Sequence, residues 1–169
     1  IGSPALFYVP AATTEGLPST TTIGDSLLDG SPTVLLNADT GERVPHWVEL
    51  DGTANPDKGD ESLLILRPAR ALDFDTHYVV AVREVQTTSG PASPSAAFTA
   101  LRDGTDWDKA ASAAAYEGPA TRFGGELAYQ DDDVERRRQH FEDQVFAPLA
   151  TAGVERGDLY LAWDFHTGS

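Results

Sequence analysis

The chain of 169 residues contains no cysteine. It therefore forms neither a disulfide framework nor a thiolate metal site, and cysteine usage gives no reading of its redox compartment. Methionine is also absent and the first residue is Ile1, so a processed chain or a fragment is expected. Basic side chains are scarce: 12 Lys and Arg stand against 27 Asp and Glu, a formal charge of -15. Nucleic-acid binding draws its affinity from clustered cations that release counterions, so nucleic acid is not an expected partner. The acidic residues are spread along the chain and read as a solvated, self-repelling surface. No apolar run approaches the roughly 20 residues of a membrane span, and the N-terminus has neither the basic nor the apolar region of a signal peptide. Internal repeats and low-complexity tracts are missing as well.

What is present reads first as strands. "PTVLLNA" (32–38) is a β-branched and leucine run, "DTGE" (39–42) a turn, and "RVPHWVEL" (43–50) a second extended arm, which together predict a hairpin. In the second arm Val44, His46, Val48 and Leu50 share one face, and Pro45, which has no amide donor, places the arm at a sheet edge or a strand start. "SLLILRP" (62–68) and "THYVVAVRE" (76–84) are apolar on both faces, as strands covered on two sides are. Between them Leu72 and Phe74 are placed to plug the end of a core. This spacing of short strands and turns predicts an antiparallel β-sandwich.

Past Gly90 the composition changes. "SPSAAFTALRDG" (93–104) predicts a short helix with Ser93 as cap and Gly104 beyond its end. Residues 105–130 have no stable period beyond a possible helical turn in "KAASAAAY". "DDDVERRRQHFEDQVFAPLATAGV" (131–154) is the strongest helix, with an acidic start, a stripe of Val134, Phe141, Val145, Phe146 and Leu149, and a kink or restart at Pro148. The last segment, "DLYLAWDFHTGS", alternates as a strand, with Tyr160, Ala162, Asp164 and His166 on one side. It ends without cap or tail, so the polypeptide is expected to continue. The organisation expected is an extended segment at 1–19, a sandwich at 20–104, and an irregular stretch, long helix and final strand at 105–169 packed on it.

Two stretches offer chemistry. Gly24-Asp25-Ser26-Leu27 resembles the nucleophile block of the GDSL esterases and lipases, which would make Ser26 the nucleophile. That family also carries a Gly-x-Asn-Asp segment and a C-terminal Asp-x-x-His. This chain has neither, its nearest candidate being Asp164 and His166, one residue too close. The preferred reading is that Asp25 or Ser26 caps a local turn and that the chain has no catalytic residue of its own. The second stretch is the acidic loop that holds Asp51, Asn55, Asp57, Asp60 and Glu61, oxygen donors of the kind calcium takes, although not at the spacing of a helix-loop-helix site. The four histidines, His46, His77, His140 and His166, lie in different elements without metal spacing and read as surface residues of strands and helices. "ERRR" (135–138) reads as ion pairs along its own helix.

The run "GERVPHWVEL", then "LLILRPARALDFDTHYVVAVREV", then "SGPASPSAAFTA" resembles the bacterial Ig-like domains of surface-layer and secreted multidomain proteins. Leu64, Ile65, Pro68, Leu72, Thr76, Tyr78, Val80, Val82, Gly90 and Phe98 carry the match over residues 20–100, while a helix-like "TALRDG" replaces the usual last strand. "NADTGERVPHWVELD" with "GVERGDLYLAWDF" is also similar to the N-terminal region of large secreted bacterial proteins with a downstream α/β-hydrolase or lipase-like unit. The resemblance implies a mainly β, Ig-like fold with a C-terminal helical extension and a final strand. It implies a non-catalytic module, extracellular or at the cell surface, that spaces, docks or assembles. Its partners would be other domains of the same polypeptide or neighbouring subunits. The alternative is part of a secreted serine hydrolase whose nucleophile lies downstream or, less simply, at Ser26.

Overall fold

The computed structural model describes residues 4–52, 63–107 and 133–168. Their strands form two three-stranded antiparallel sheets. In the first, β1 (Ala5–Tyr8) and β3 (His46–Leu50) flank β4 (Leu63–Pro68); in the second, β2 (Thr33–Asn37) and β8 (Leu161–His166) flank β5 (His77–Val82). A small pair, β6 (Gln86–Thr87) and β7 (Gly90–Pro91), stands apart. The fold is thus mainly strands in antiparallel sheets with helical segments added.

The predicted hairpin forms only at its turn. The amide of Asn37 donates to Glu42 O and that of Val44 to Leu35 O, but Pro45 has no N–H to continue the ladder. The chain then crosses to the first sheet, where His46–Leu50 pairs with β4, Val48 lying opposite Leu66. The β2 strand instead pairs along its whole length with β5, from Thr33 opposite Val82 to Asn37 opposite Tyr78.

Each sheet's burial follows from what covers it. In β5 every residue is buried, because Tyr78, Val80 and Val82 enter one apolar cluster and Val79 and Ala81 another. The first cluster is shared with Phe7, Val48, Leu64 and Leu66 of the other sheet. β4 does not share this double cover, contrary to its apolar sequence: Leu64, Leu66 and Pro68 are buried while Leu63, Ile65 and Arg67 are only half-buried. Only one of its faces meets the second sheet. Leu72 packs against that cluster as expected, but Phe74 is 83% exposed and plugs nothing.

The second cluster joins the outer face of β2-β5-β8 to helices. α1 (Ala96–Asp103) is capped by Ser95, whose hydroxyl accepts from Phe98 N at 3.2 Å, two residues later than Ser93. It ends at Gly104, whose φ of 67° is left-handed and suits glycine. α2 (Asp133–His140) runs through a π-helical segment (Phe141–Phe146) into α3 (Ala147–Thr151), with Pro148 in the first turn after the π segment. Val134, Phe141, Val145, Phe146 and Leu149 are all buried, as their periodicity predicts.

Arginines reach the carbonyls at the C-terminal end of α1, where Ala100 O already accepts the backbone N–H of Gly104. Arg138 Nη1 donates to Ala100 O at 2.7 Å, and Arg156 donates to both Leu101 O and Arg102 O. Arg156 also pairs with Glu142, whose carboxyl it holds below the usual range by hydrogen bonding, and lies 4.0 Å over the Phe146 ring. Replacing Arg156 by Met keeps the stem but leaves two carbonyls without their donor. Denaturant unfolding is expected to show a loss of about 1–2 kcal/mol.

Candidate functional site

Ser26 lies in a 3-10 turn (Ile23–Leu27) and is fully buried. Its hydroxyl donates to Ile23 O at 2.6 Å and accepts from the backbone N–H of His46 at 3.1 Å. The nearby imidazole faces elsewhere. His46 Nδ1 donates to Val44 O at 2.9 Å, a carbonyl that can only accept, so Nε2 is the unprotonated nitrogen and takes the Thr33 hydroxyl at 2.9 Å. His46 is therefore an interior residue, not the surface residue its sequence context predicts. Burial pushes its pKa down to about 4, with the Arg43 charge adding to the shift and the Val44 hydrogen bond opposing it. The Ser26 oxygen binds the turn to the start of β3, and among the described residues no titratable base is hydrogen-bonded to it.

Of the acidic loop, Asp51 lies at the end of β3, its amide donating to Leu63 O at 2.8 Å. Asn55, Asp57, Asp60 and Glu61 lie outside the described residues, as does "KAASAAAY".

The remaining three histidines converge. His77 opens β5 and stands opposite His166 of β8, while Asp164 is two residues before His166 and therefore on the same face. This face looks toward the helices, since Val79 and Ala162 beside it belong to the helix-covered cluster. The rings of His77 and His166 stack at 4.6 Å, only 9° from parallel. His77 Nε2 lies 2.9 Å from Asp164 Oδ2. His140, at the end of α2, reaches Asp164 Oδ1 with its Nε2 at 2.8 Å. One carboxylate thus accepts from two imidazoles on opposite sides, one from the sheet and one from the helix.

The burial is graded. The His77 and Asp164 side chains are 8% and 13% exposed, whereas that of His140 is 51% exposed and His166 is open to solvent. One ligand atom each from His77, Asp164 and His166 lies within 4.8 Å of the others. Histidines expected to lie apart in different elements are thus brought together, and His77, expected at a surface, is buried. Asp164 and His166 alternate on one face in the sequence, but only the β5-β8 register places His77 beside them. That Asp-x-His step in a strand is the one sequence signal pointing here.

No known protein family has a sequence model that matches this chain, and no curated protein matches it.

Proposed function

We propose that this chain is a non-catalytic Ig-like β-sandwich module of a larger secreted or cell-surface protein, acting in spacing, docking or assembly. The observation that carries the reading is the fate of Ser26: the serine of the hydrolase-like block is buried and its oxygen is engaged by two backbone groups. The Ig-like assignment has a second support. Tyr78, near the start of β5, is fully buried and its hydroxyl oxygen accepts the Asp73 amide at 2.9 Å, the kind of tyrosine-to-upstream-backbone bond found at the corner of Ig-like sandwiches. Docking is supported by β8, which stands at the end of its sheet and carries half-buried Trp163 and Phe165 beside an outer edge with no strand partner among the described residues. An added strand from a following domain or a neighbouring subunit satisfies such an edge. Localisation outside the cell rests on the sequence resemblance.

The test is hydrolysis of a p-nitrophenyl ester by the wild-type chain and by Ser26→Ala. Neither is expected to exceed the buffer rate. The variant is expected to unfold about 1–2 kcal/mol more easily, because the Ile23 carbonyl and His46 amide lose their partner. Wild-type turnover that disappears in a Ser26→Ala variant of unchanged circular dichroism would overturn the proposal.

A further inference from the structure

We infer that His77, Asp164 and His166 form a binding site for a divalent transition-metal ion of the zinc class, with His140 positioning the carboxylate. The chain has four histidines, and three of them meet at one carboxylate contributed by different elements. Two imidazoles and one carboxylate are the donor set of open, three-ligand metal centres, whose remaining positions belong to water. Calcium and magnesium require mostly oxygen donors, so the set selects against them.

The distances fit. With metal–ligand bonds of about 2.0–2.2 Å, neighbouring donors around one ion are about 3–3.5 Å apart. His77 Nε2 and Asp164 Oδ2 already stand at 2.9 Å with only a proton between them. An ion in place of that proton sits to one side of the N···O line, so the two donors part by a few tenths of an ångström and the His77 ring turns to face it. The third donor lies within 4.8 Å and belongs to the exposed His166, whose ring would have to leave its stack on His77 to turn inward. Asp164 Oδ1 is meanwhile held by His140, an outer hydrogen bond of the type that orients ligating carboxylates. The site is anchored by two adjacent strands and reachable through His166. Binding there would tie β5 and β8 together and, through His140, fasten the end of α2 to the sheet edge. Nothing in it depends on whether the chain is an accessory module or part of a hydrolase.

Calorimetric titration of the untagged chain with zinc tests the site, with calcium as the contrasting ion and His166→Ala and Asp164→Asn as variants. His166 is exposed, so its truncation removes its stack on His77 and little else, and circular dichroism verifies that the fold is kept. The expected result is one zinc per chain, little calcium uptake, a rise in melting temperature with zinc, and affinity about ten-fold or more weaker in both variants. With cobalt(II) in place of zinc, visible bands of nitrogen and oxygen ligation should appear in the wild type and fade in His166→Ala. Absence of stoichiometric zinc uptake by the wild type, or uptake of equal affinity by a folded His166→Ala chain, would overturn the inference.

Discussion

Leu149→Ala is expected to destabilise the protein by about 2–5 kcal/mol, with a fall in melting temperature on the order of 10 °C. Leu149 is almost fully buried, in a cluster with Val34 and Leu36 of β2, Val79 and Ala81 of β5, Phe98 of α1, and Val145 and Phe146 of the π-helical segment. Truncation removes three carbons from a site bounded on one side by a sheet and on the other by a helix anchored through Phe141 and Val145. Neither side can collapse fully into the space, which places the cost above simple transfer of the lost methyl groups. The experiment also asks whether the helices share the sheets' cooperativity. A single unfolding transition that moves as a whole, seen equally by near- and far-ultraviolet circular dichroism, is expected. A loss below about 1 kcal/mol, or separate transitions for helix and sheet signals, would show that α3 is a loosely attached layer.

The elements were legible wherever a short-range pattern decided them. The stripe from Val134 to Leu149 reads as one buried face, and the alternation of Leu161, Trp163 and Phe165 against Ala162, Asp164 and His166 reads as a strand; both appear as written. Pairing was harder, because it depends on partners far along the chain. "PTVLLNA" and "RVPHWVEL" flank a turn and look like one hairpin, yet their strands end in different sheets. The hint was Pro45, which interrupts the ladder where the chain departs. Likewise "SLLILRP" and "THYVVAVRE" have similar apolar content, but only the second lies in a sheet covered on both faces. Hydropathy records what a strand tolerates, and the number of layers above it comes from tertiary structure.

The histidine cluster illustrates the same limit. Each of its members is unremarkable in its own segment, and the separation between His77 and Asp164 along the chain is 87 residues. Their meeting depends on β5-β8 register, with His77 opposite His166, and on the path of α2 over that sheet. A one-residue slip in register would carry Asp164 and His166 to the other face, away from His140. Ser26 shows the converse: its four-letter context suggests chemistry, and only the hydrogen bonds of its hydroxyl reveal a joint between a turn and a strand.

Acidification from about pH 6.5 to pH 4 is expected to cost about 3 kcal/mol of stability through His46 alone. In the folded chain its pKa is lowered to about 4, mainly by burial, while in the unfolded chain it returns to about 6.5. Between these values the unfolded state takes up a proton that the folded state refuses, so stability falls as pH falls; above about 6.5 both states are neutral and below about 4 both are charged. The groups on the ring are the Thr33 hydroxyl of β2 and the Val44 carbonyl, with the charge of Arg43 nearby, and among these described groups none is an anion that would stabilise the imidazolium. Nuclear magnetic resonance should follow His46 as a neutral ring with its proton on Nδ1 down to about pH 5. Thermal melts of His46→Gln against the wild type supply the energetic half. The glutamine amide can both donate and accept, so the variant is expected to be less stable at pH 8 but to close the gap by pH 4, where the wild type has lost its advantage. Parallel pH profiles for the two proteins, or a His46 resonance titrating near 6.5 in the folded state, would show that the ring is solvated and that the joint between Ser26, Thr33 and β3 opens to water.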